Sequence, residues 1–222
     1  MKIIVDAMGG DHAPGVVIDG AVAAAKEYNS EIILVGDQVK IKEHLSRAGY
    51  LGDKISVHHA EEVIDMHESP ATSVRRKRNS SIVVGINLVK EGKGDAFFSA
   101  GNTGAVVSAA TLSLRCLPGI ERPGIAIVTP TLKGISLIID VGANIEPKPL
   151  HLLQYGFMGC AYMEGVFHKQ NCTVGLINVG EEESKGTEFT KEAYELLSKS
   201  KLNFIGNVEG KAMFSGVCDV IV

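Results

Sequence analysis

Small polar residues and glycines recur in clusters directly behind apolar runs: Asp6–His12, Ser99–Gly104, Asp140–Asn144 and Asn178–Lys185. A glycine-bearing turn that ends a strand and opens a helix presents backbone N–H groups to an anion. The same residue types are also ordinary turn formers, so for any one loop the two readings balance. Four such loops in one chain favour an anion site. Ser99-Ala-Gly-Asn-Thr-Gly104 is the richest of them, because Ser99, Asn102 and Thr103 add side-chain donors to the backbone ones. It is neither G-x-x-x-x-G-K-[ST] nor G-x-G-x-x-G, which leaves the dinucleotide reading weak.

Fewer charged residues suggest chemistry. Lys185 follows Glu181–Glu183 and can meet a phosphate or a developing oxyanion; the bland alternative is a solvated lysine beside three glutamates. Arg75-Arg76-Lys77-Arg78 is the strongest basic run. A helix spreads consecutive residues around its circumference, so only one or two of these can face a common partner. The run is short and lacks interleaved aromatics, which argues against nucleic acid. No G-x-S-x-G elbow is present. Cys116, Cys160, Cys172 and Cys218 form no C-x-x-C pair, and Cys160 and Cys172 read as small buried hydrophobes. His58 and His59 point to opposite faces of a strand, so no metal is expected there.

The elements that must position these loops alternate. Strands are predicted at Lys2–Val5, Glu31–Val35, Ile55–His58, Asp95–Ser99, Ile125–Val128, Ser136–Val141, Val174–Val179, Phe204-Ile205 and Val217–Val222. Helices are predicted after Asp11, at Gln38–Ala48, from Ser69-Pro70 to Glu91 with a break near Asn79-Ser80, at Ala105–Leu114, from Pro149 to about His168, and at Glu188–Leu197. Strands alternating with helices imply a largely parallel sheet with helices on its faces, whose ligands gather at the carboxyl ends of the strands. No linker composition marks a boundary, so residues 1–222 read as a single α/β unit. The final strand has no helix behind it, an abrupt end for a doubly wound sheet.

Composition agrees with a globular protein: 45% hydrophobic, 22% charged and a net charge of −4. That balance gives no general attraction to nucleic acid or to anionic membrane, so an anion site must be local. No apolar stretch approaches the ~20 residues of a transmembrane helix, and no signal peptide fits the N-terminus.

Val5-Asp-Ala-Met-Gly-Gly-Asp-His-Ala-Pro14 resembles the N-terminal signature of the bacterial phosphate acyltransferase family (acyl-ACP:phosphate transacylase, the PlsX family). Glu68-Ser-Pro with Arg75–Arg78, Ser99–Gly104, Asp140–Asn144 followed by Pro149 and His151–Gln154, Asn178–Glu183 with Lys185-Gly186, and Phe204–Gly210 are similar to its later motifs, in order along the whole chain. Glu146-Pro147 departs from the family pattern. The resemblance implies a three-layer α/β fold with a largely parallel sheet, like isocitrate and isopropylmalate dehydrogenases and phosphotransacetylases. It implies that this sequence covers about the N-terminal two-thirds of a family-length chain, without the C-terminal part of the fold.

The resemblance further implies an enzyme of phospholipid synthesis that passes a long-chain acyl group from acyl carrier protein to inorganic phosphate. It would be a cytoplasmic homodimer with no metal and no cofactor. Its membrane contact would be peripheral, and a membrane glycerol-3-phosphate acyltransferase would take its product. On this reading Lys185 stabilises charge and Asn178 orients substrate. Ser99, Gly101, Asn102, Thr103, Gly104, Asp140, Gly142 and Asn144 position phosphate and thioester, with Asp6, Gly9, Gly10 and His12 supporting the cradle. Arg75 and Lys77 meet the acidic carrier protein or phosphate. Two rivals stay open: a phosphotransacetylase-like enzyme using acyl-CoA, and a truncated carrier-protein-binding module without turnover.

Overall fold

A computed structural model describes residues 1–222. Backbone contacts divide them into two compact units, Met1–Arg115 and Cys116–Val222. The sequence reading treats the chain as one unit because nothing in Arg115-Cys-Leu-Pro118 differs in composition from an ordinary loop. The alternation of elements holds in both units. No helix is long and apolar enough to cross a membrane.

The first unit runs β1 (Lys2–Asp6), α1 (Gly15–Tyr28), β2 (Glu31–Gly36), α2 (Gln38–Arg47), β3 (Ile55–His59), α3 (Pro70–Arg76), α4 (Ser81–Lys90), β4 (Ala96–Phe98) and α5 (Thr103–Leu114). Its sheet has the order β3-β2-β1-β4, parallel throughout. Alternation along the strands feeds both faces. Val5, Ile32 and Leu34 pack with Ile18 and Ile41 of α1 and α2, whereas Ile4 and Val35 pack with Leu88 of α4. Burying a side chain such as Ile4 or Leu34 contributes roughly 1.5–3 kcal/mol.

Local chemistry sets the helix starts. Asp37 caps α2 by accepting from the N–H of Val39 at 3.0 Å, and Ser80 caps α4 by accepting from Val83. Pro70 begins α3, and the chain breaks between α3 and α4 where Ser80 takes an extended conformation, as the Asn79-Ser80 pair predicts.

The second unit runs β5 (Ala126–Thr131), β6 (Gly134–Ile139), α6 (Pro149–Phe167), β7 (Thr173–Asn178), α7 (Glu188–Ser198), β8 (Asn203–Glu209), a 3-10 turn (Gly210–Ala212) and β9 (Val220–Ile221). The sheet order is β5-β6-β9-β7-β8; β5 and β6 form an antiparallel hairpin and the other neighbours are parallel. Tyr155 and Met163 of α6 and Leu197 of α7 bury one face of this sheet against Leu137, Leu176 and Val220. Val217–Val222 yields only a two-residue strand because Gly210–Gly216 winds into a 3-10 helix and turns before it. The β8 strand is longer than Phe204-Ile205 because Gly206 adopts φ +99° and Asn207-Val208 resume the ladder with β7 past an irregularity.

Candidate functional site

In the first unit the chain moves outward from β1 to β2 and β3 on one side and places β4 on the other. The order reverses between β1 and β4, and their carboxyl ends flank the crevice where open α/β sheets bind ligands. Asp6–His12 leaves β1 at this point and Ser99–Gly104 leaves β4.

The two loops clasp each other. Asp6 is buried, and its Oδ2 accepts from the Ser99 hydroxyl at 2.7 Å while its Oδ1 accepts from the Met8 N–H at 3.0 Å. The Gly101 N–H donates to Ser99 Oγ at 3.0 Å. Gly9 lies directly on Gly101: a Cβ there would sit 2.5 Å from Asp6 Oδ2 and 2.7 Å from the Gly101 nitrogen. Gly9 is therefore required for this approach.

Within this unit the N–H groups of Gly9, Gly10, Asp11 and His12, and of Thr103 and Gly104, donate to no protein acceptor. His12 and Thr103 are exposed beside them. Thr103 and Gly104 open α5 and Gly9–His12 form the loop that leaves β1, so the donors of a helix N-terminus and of a glycine turn stand together, an arrangement suited to a small anion.

Asn102 has a different use from the donor expected of it. It is buried and caps α5 by accepting from Ala105 N at 3.0 Å. Its amide nitrogen donates to the carbonyls of Asp65 at 3.1 Å and Glu68 at 3.1 Å. It binds the approach to α3 to the start of α5.

Glu68, which sequence reasoning left without a role, anchors the same region. It accepts from Lys77 at 2.5 Å, Ser73 at 2.7 Å and the Asp65 N–H at 2.9 Å. The Lys77 ammonium, with the Asp65 and Ser73 donors, pulls its carboxyl down to about 2. Lys77 is thus held by Glu68 and the Val63 carbonyl, and it is not a free cation for a partner. Arg75, Arg76 and Arg78 are exposed and make no ion pair within the unit.

In the second unit two predicted loops occupy the carboxyl ends of β6 and β7, which flank the short β9. Two strand spacings separate them by about 10 Å. Asp140 holds its own loop: its carboxylate accepts from the N–H groups of Ile125, Ala143 and Asn144 and from the Asn144 side chain at 2.8 Å. Asn144 also donates to the Pro123 carbonyl at 2.9 Å and the Tyr155 hydroxyl at 2.8 Å. Burial, and then the nearby Asp140 carboxylate, push the Tyr155 phenol up to about 12. Gly142 is exposed at the loop tip.

Asn178 donates to the Lys185 carbonyl and to Asn207 Oδ1, each at 3.2 Å, and accepts from Val179. Asn207 in turn donates to the Glu182 carbonyl at 2.9 Å. These two amides fold residues 180–186 back over the end of the sheet. Gly186, at φ +93°, passes so close to Asn178 that a Cβ would lie 2.6 Å from its Oδ1. The Lys185 side chain is exposed, and none of the neighbouring glutamates pairs with its ammonium.

Sequence reasoning missed Asn207 and Tyr155 as well as Glu68. Only the Phe204–Gly210 motif carried a signal for Asn207. His151 and Gln154, noted within a motif, bind the Gly119–Glu121 segment to α6: His151 Nε2 meets Glu121 at 3.0 Å, and Gln154 bonds both Glu121 N and the Gly119 carbonyl.

A family model described as "Fatty acid synthesis protein" matches residues 1–222. Curated proteins named phosphate acyltransferase match the whole chain: that of Desulfitobacterium hafniense is 51% identical over 223 residues and that of Alkaliphilus oremlandii 50% over 222. The chain spans 66% of the length of each, just under two thirds. Among solved structures, a phosphotransacetylase from Streptococcus pyogenes aligns over all of this chain and 76% of its own, with TM-score 0.74 and 19% identity. A branched-chain phosphotransacylase from Enterococcus faecalis aligns over all of this chain and 79% of its own, with TM-score 0.64 and 12% identity. At these identities the likeness is one of fold.

Proposed function

Because this chain belongs to the fatty acid synthesis protein family, we propose that it transfers a long-chain acyl group from the thioester of acyl carrier protein to inorganic phosphate, releasing acyl phosphate for phospholipid synthesis. The observation that carries this reading is the clasp of Gly9 on Gly101 at the β1/β4 switch point, with unclaimed N–H groups on both loops. A phosphate oxygen attacks the thioester carbonyl carbon; the C–O bond forms, the C–S bond breaks, and the carrier leaves as a thiolate that takes up a proton. Phosphate is itself the nucleophile, so no covalent enzyme intermediate is needed. Holding both reactants together supplies up to roughly 7–11 kcal/mol of the barrier in ideal cases.

The backbone donors of Gly9–His12 and Thr103-Gly104 seat the phosphate, with Asp6 and Ser99 fixing the two loops. The thioester carbonyl meets the same two loops. Within the second unit, Gly142 on the loop that Asp140 and Asn144 close, and the exposed Lys185 ammonium on the loop that Asn178 holds, form a second set of groups able to meet negative charge. Arg75, exposed beside Arg76 and Arg78, meets the acidic carrier protein. The protein acts as a homodimer in the cytoplasm, touches the inner face of the membrane peripherally, and delivers its product to a membrane glycerol-3-phosphate acyltransferase.

Trapping the product with hydroxylamine tests the reaction, with enzyme- and phosphate-dependent acyl hydroxamate expected above the background that the carrier thioester itself gives. Lys185→Ala should lower its rate by about tenfold or more; a near-normal rate removes Lys185 from the mechanism. The names of the structural neighbours favour a second reading, a phosphotransacetylase-like enzyme using acyl-CoA. Higher kcat/KM with acyl-CoA than with the carrier thioester selects it.

A further inference from the structure

The first unit contains a cavity of about 470 Å³ between α1 and the β1/β4 side of its sheet. Its lining includes Val5, Val16, Gly20, Ala24, Phe98 and Ala100, and every other lining residue is also apolar. Val16 and Phe98 remain 63% and 58% exposed, so the trough has no cover within the unit. It offers no hydrogen-bonding side chain, which makes it a poor seat for ordered water.

Its position matters more than its composition. Val5 and Phe98 immediately precede Asp6 and Ser99, the pair that joins the two candidate loops. Ala100 belongs to the Ser99–Gly104 loop and lies against the other loop as well, since a Cβ on Gly10 would come 3.3 Å from the Ala100 methyl. The trough and the anion-binding loops therefore share a wall. From Val16 to Ala24 it follows α1 for about 12 Å, at 1.5 Å per residue.

We infer that this trough seats the alkyl chain of the acyl donor, with the thioester carbonyl at the Asp6–Gly10 and Ser99–Gly104 loops and the tail running along α1 toward Ala24. This rests on the acyltransferase reading for the identity of the donor, but it assigns a binding site in its own right. A linear saturated chain suits the site: the lining is uniformly apolar, and one end adjoins donors able to meet the polar head.

The test titrates the 222-residue chain with saturated fatty acids from hexanoate to myristate, below their micellar concentrations, by calorimetry. Affinity should rise about fourfold per methylene until the trough is filled, and then level off. Gly20→Leu should move that plateau to shorter chains. A Cβ at Gly20 meets nothing within 4 Å, and leucine is the better helix former, so this variant keeps the fold. Phe98→Asp should abolish the dependence on length.

Affinity independent of chain length, or an unchanged plateau in Gly20→Leu, overturns the inference. So does a self-associating chain that Val16→Asp dissociates without any length dependence, because the trough would then be an interface between copies. The hydroxylamine assay separates this failure from that of the reaction. Equal rates for short and long donors, unaltered by Gly20→Leu, leave the reaction standing and remove the trough. A Gly20-sensitive plateau without acyl phosphate formation leaves the trough standing and removes the reaction.

Discussion

Adding one methyl group at Gly9 should open the clasp between the β1 and β4 loops. The new Cβ would lie 2.5 Å from Asp6 Oδ2, 2.7 Å from the Gly101 nitrogen and 2.9 Å from Gly101 Cα, all shorter than real Cβ contacts. Two of the three obstacles are backbone, so no side-chain rotation relieves them. The loops must separate by several tenths of an ångström, enough to lengthen the 2.7 Å Ser99–Asp6 hydrogen bond. Overpacking of this kind costs about 1–3 kcal/mol, and weakening the hydrogen bond adds up to about 1. The gain from replacing glycine by alanine, about 0.4–1 kcal/mol through the unfolded chain, offsets only part of this. Gly9→Ala should therefore destabilise the first unit by about 1–3 kcal/mol.

Gly20→Ala is the matched control. It is the same chemical change, in the middle of α1, where a Cβ meets nothing within 4 Å. It should stabilise by about 0.5–1 kcal/mol. Two compact units need not unfold together, so urea unfolding by circular dichroism should be paired with amide exchange at Met8 and Gly101, whose N–H groups report on the clasp. Phosphate should raise the melting temperature of the parent and of Gly20→Ala, and should do so less for Gly9→Ala. A Gly9→Ala protein within about 0.5 kcal/mol of the parent, with unchanged exchange at Gly101, would refute the clasp and the phosphate seat built on it.

Other perturbations test other parts. The Glu68 carboxyl is held at about 2 in the fold against an ordinary 4.5, so its contribution is present above pH 4.5 and is lost as pH falls toward 2; Glu68→Gln should flatten the dependence of the urea midpoint on pH across that window. The Tyr155 phenol is raised from 10 to about 12, so the stability it confers holds below pH 10 and is lost as pH rises toward 12. Ultraviolet titration should show one of the five tyrosines ionising last, and Tyr155→Phe should remove that step. Asn207→Ala removes the bonds to Asn178 and the Glu182 carbonyl; proteolysis within residues 181–185 should accelerate while Tm falls by only a few degrees, and equal cleavage rates would contradict the role given to Asn207.

Much of the fold was legible because its signals are local. Asp37, Ser80 and Asn102 stand where the first turns of α2, α4 and α5 need an oxygen, and β1 and β2 are continuous apolar runs, as burial on both faces requires. The glycine loops were equally visible, and all four lie at the carboxyl ends of parallel strands. The division at Arg115 was not legible, since it arises from which strands pair and not from any change in composition. Neither was the bond between Asp6 and Ser99, which are 93 residues apart. Lys77 looked free in a run of four cations, and only folding brings Glu68 against it.

Asn102, Asp140, Asn144 and Asn178 look alike in sequence to residues that touch a ligand, yet in the fold each bonds mainly to its own or a neighbouring loop. This changes the chemistry they support. A side-chain amide reaching toward a dianion must be ordered at the moment of binding, whereas a backbone N–H in a loop already pinned by Asp6 or Asn102 is ordered beforehand. In the transfer proposed above, donors fixed in advance would need no reorganisation as charge moves from phosphate to the carbonyl oxygen, and preorganisation of this kind is usually the larger source of stabilisation. The polar residues of these motifs act as fasteners, and the glycines between them expose the donors. Lys185 then stands apart as an exposed, unpaired charge, on a loop that Asn178 and Asn207 fold back.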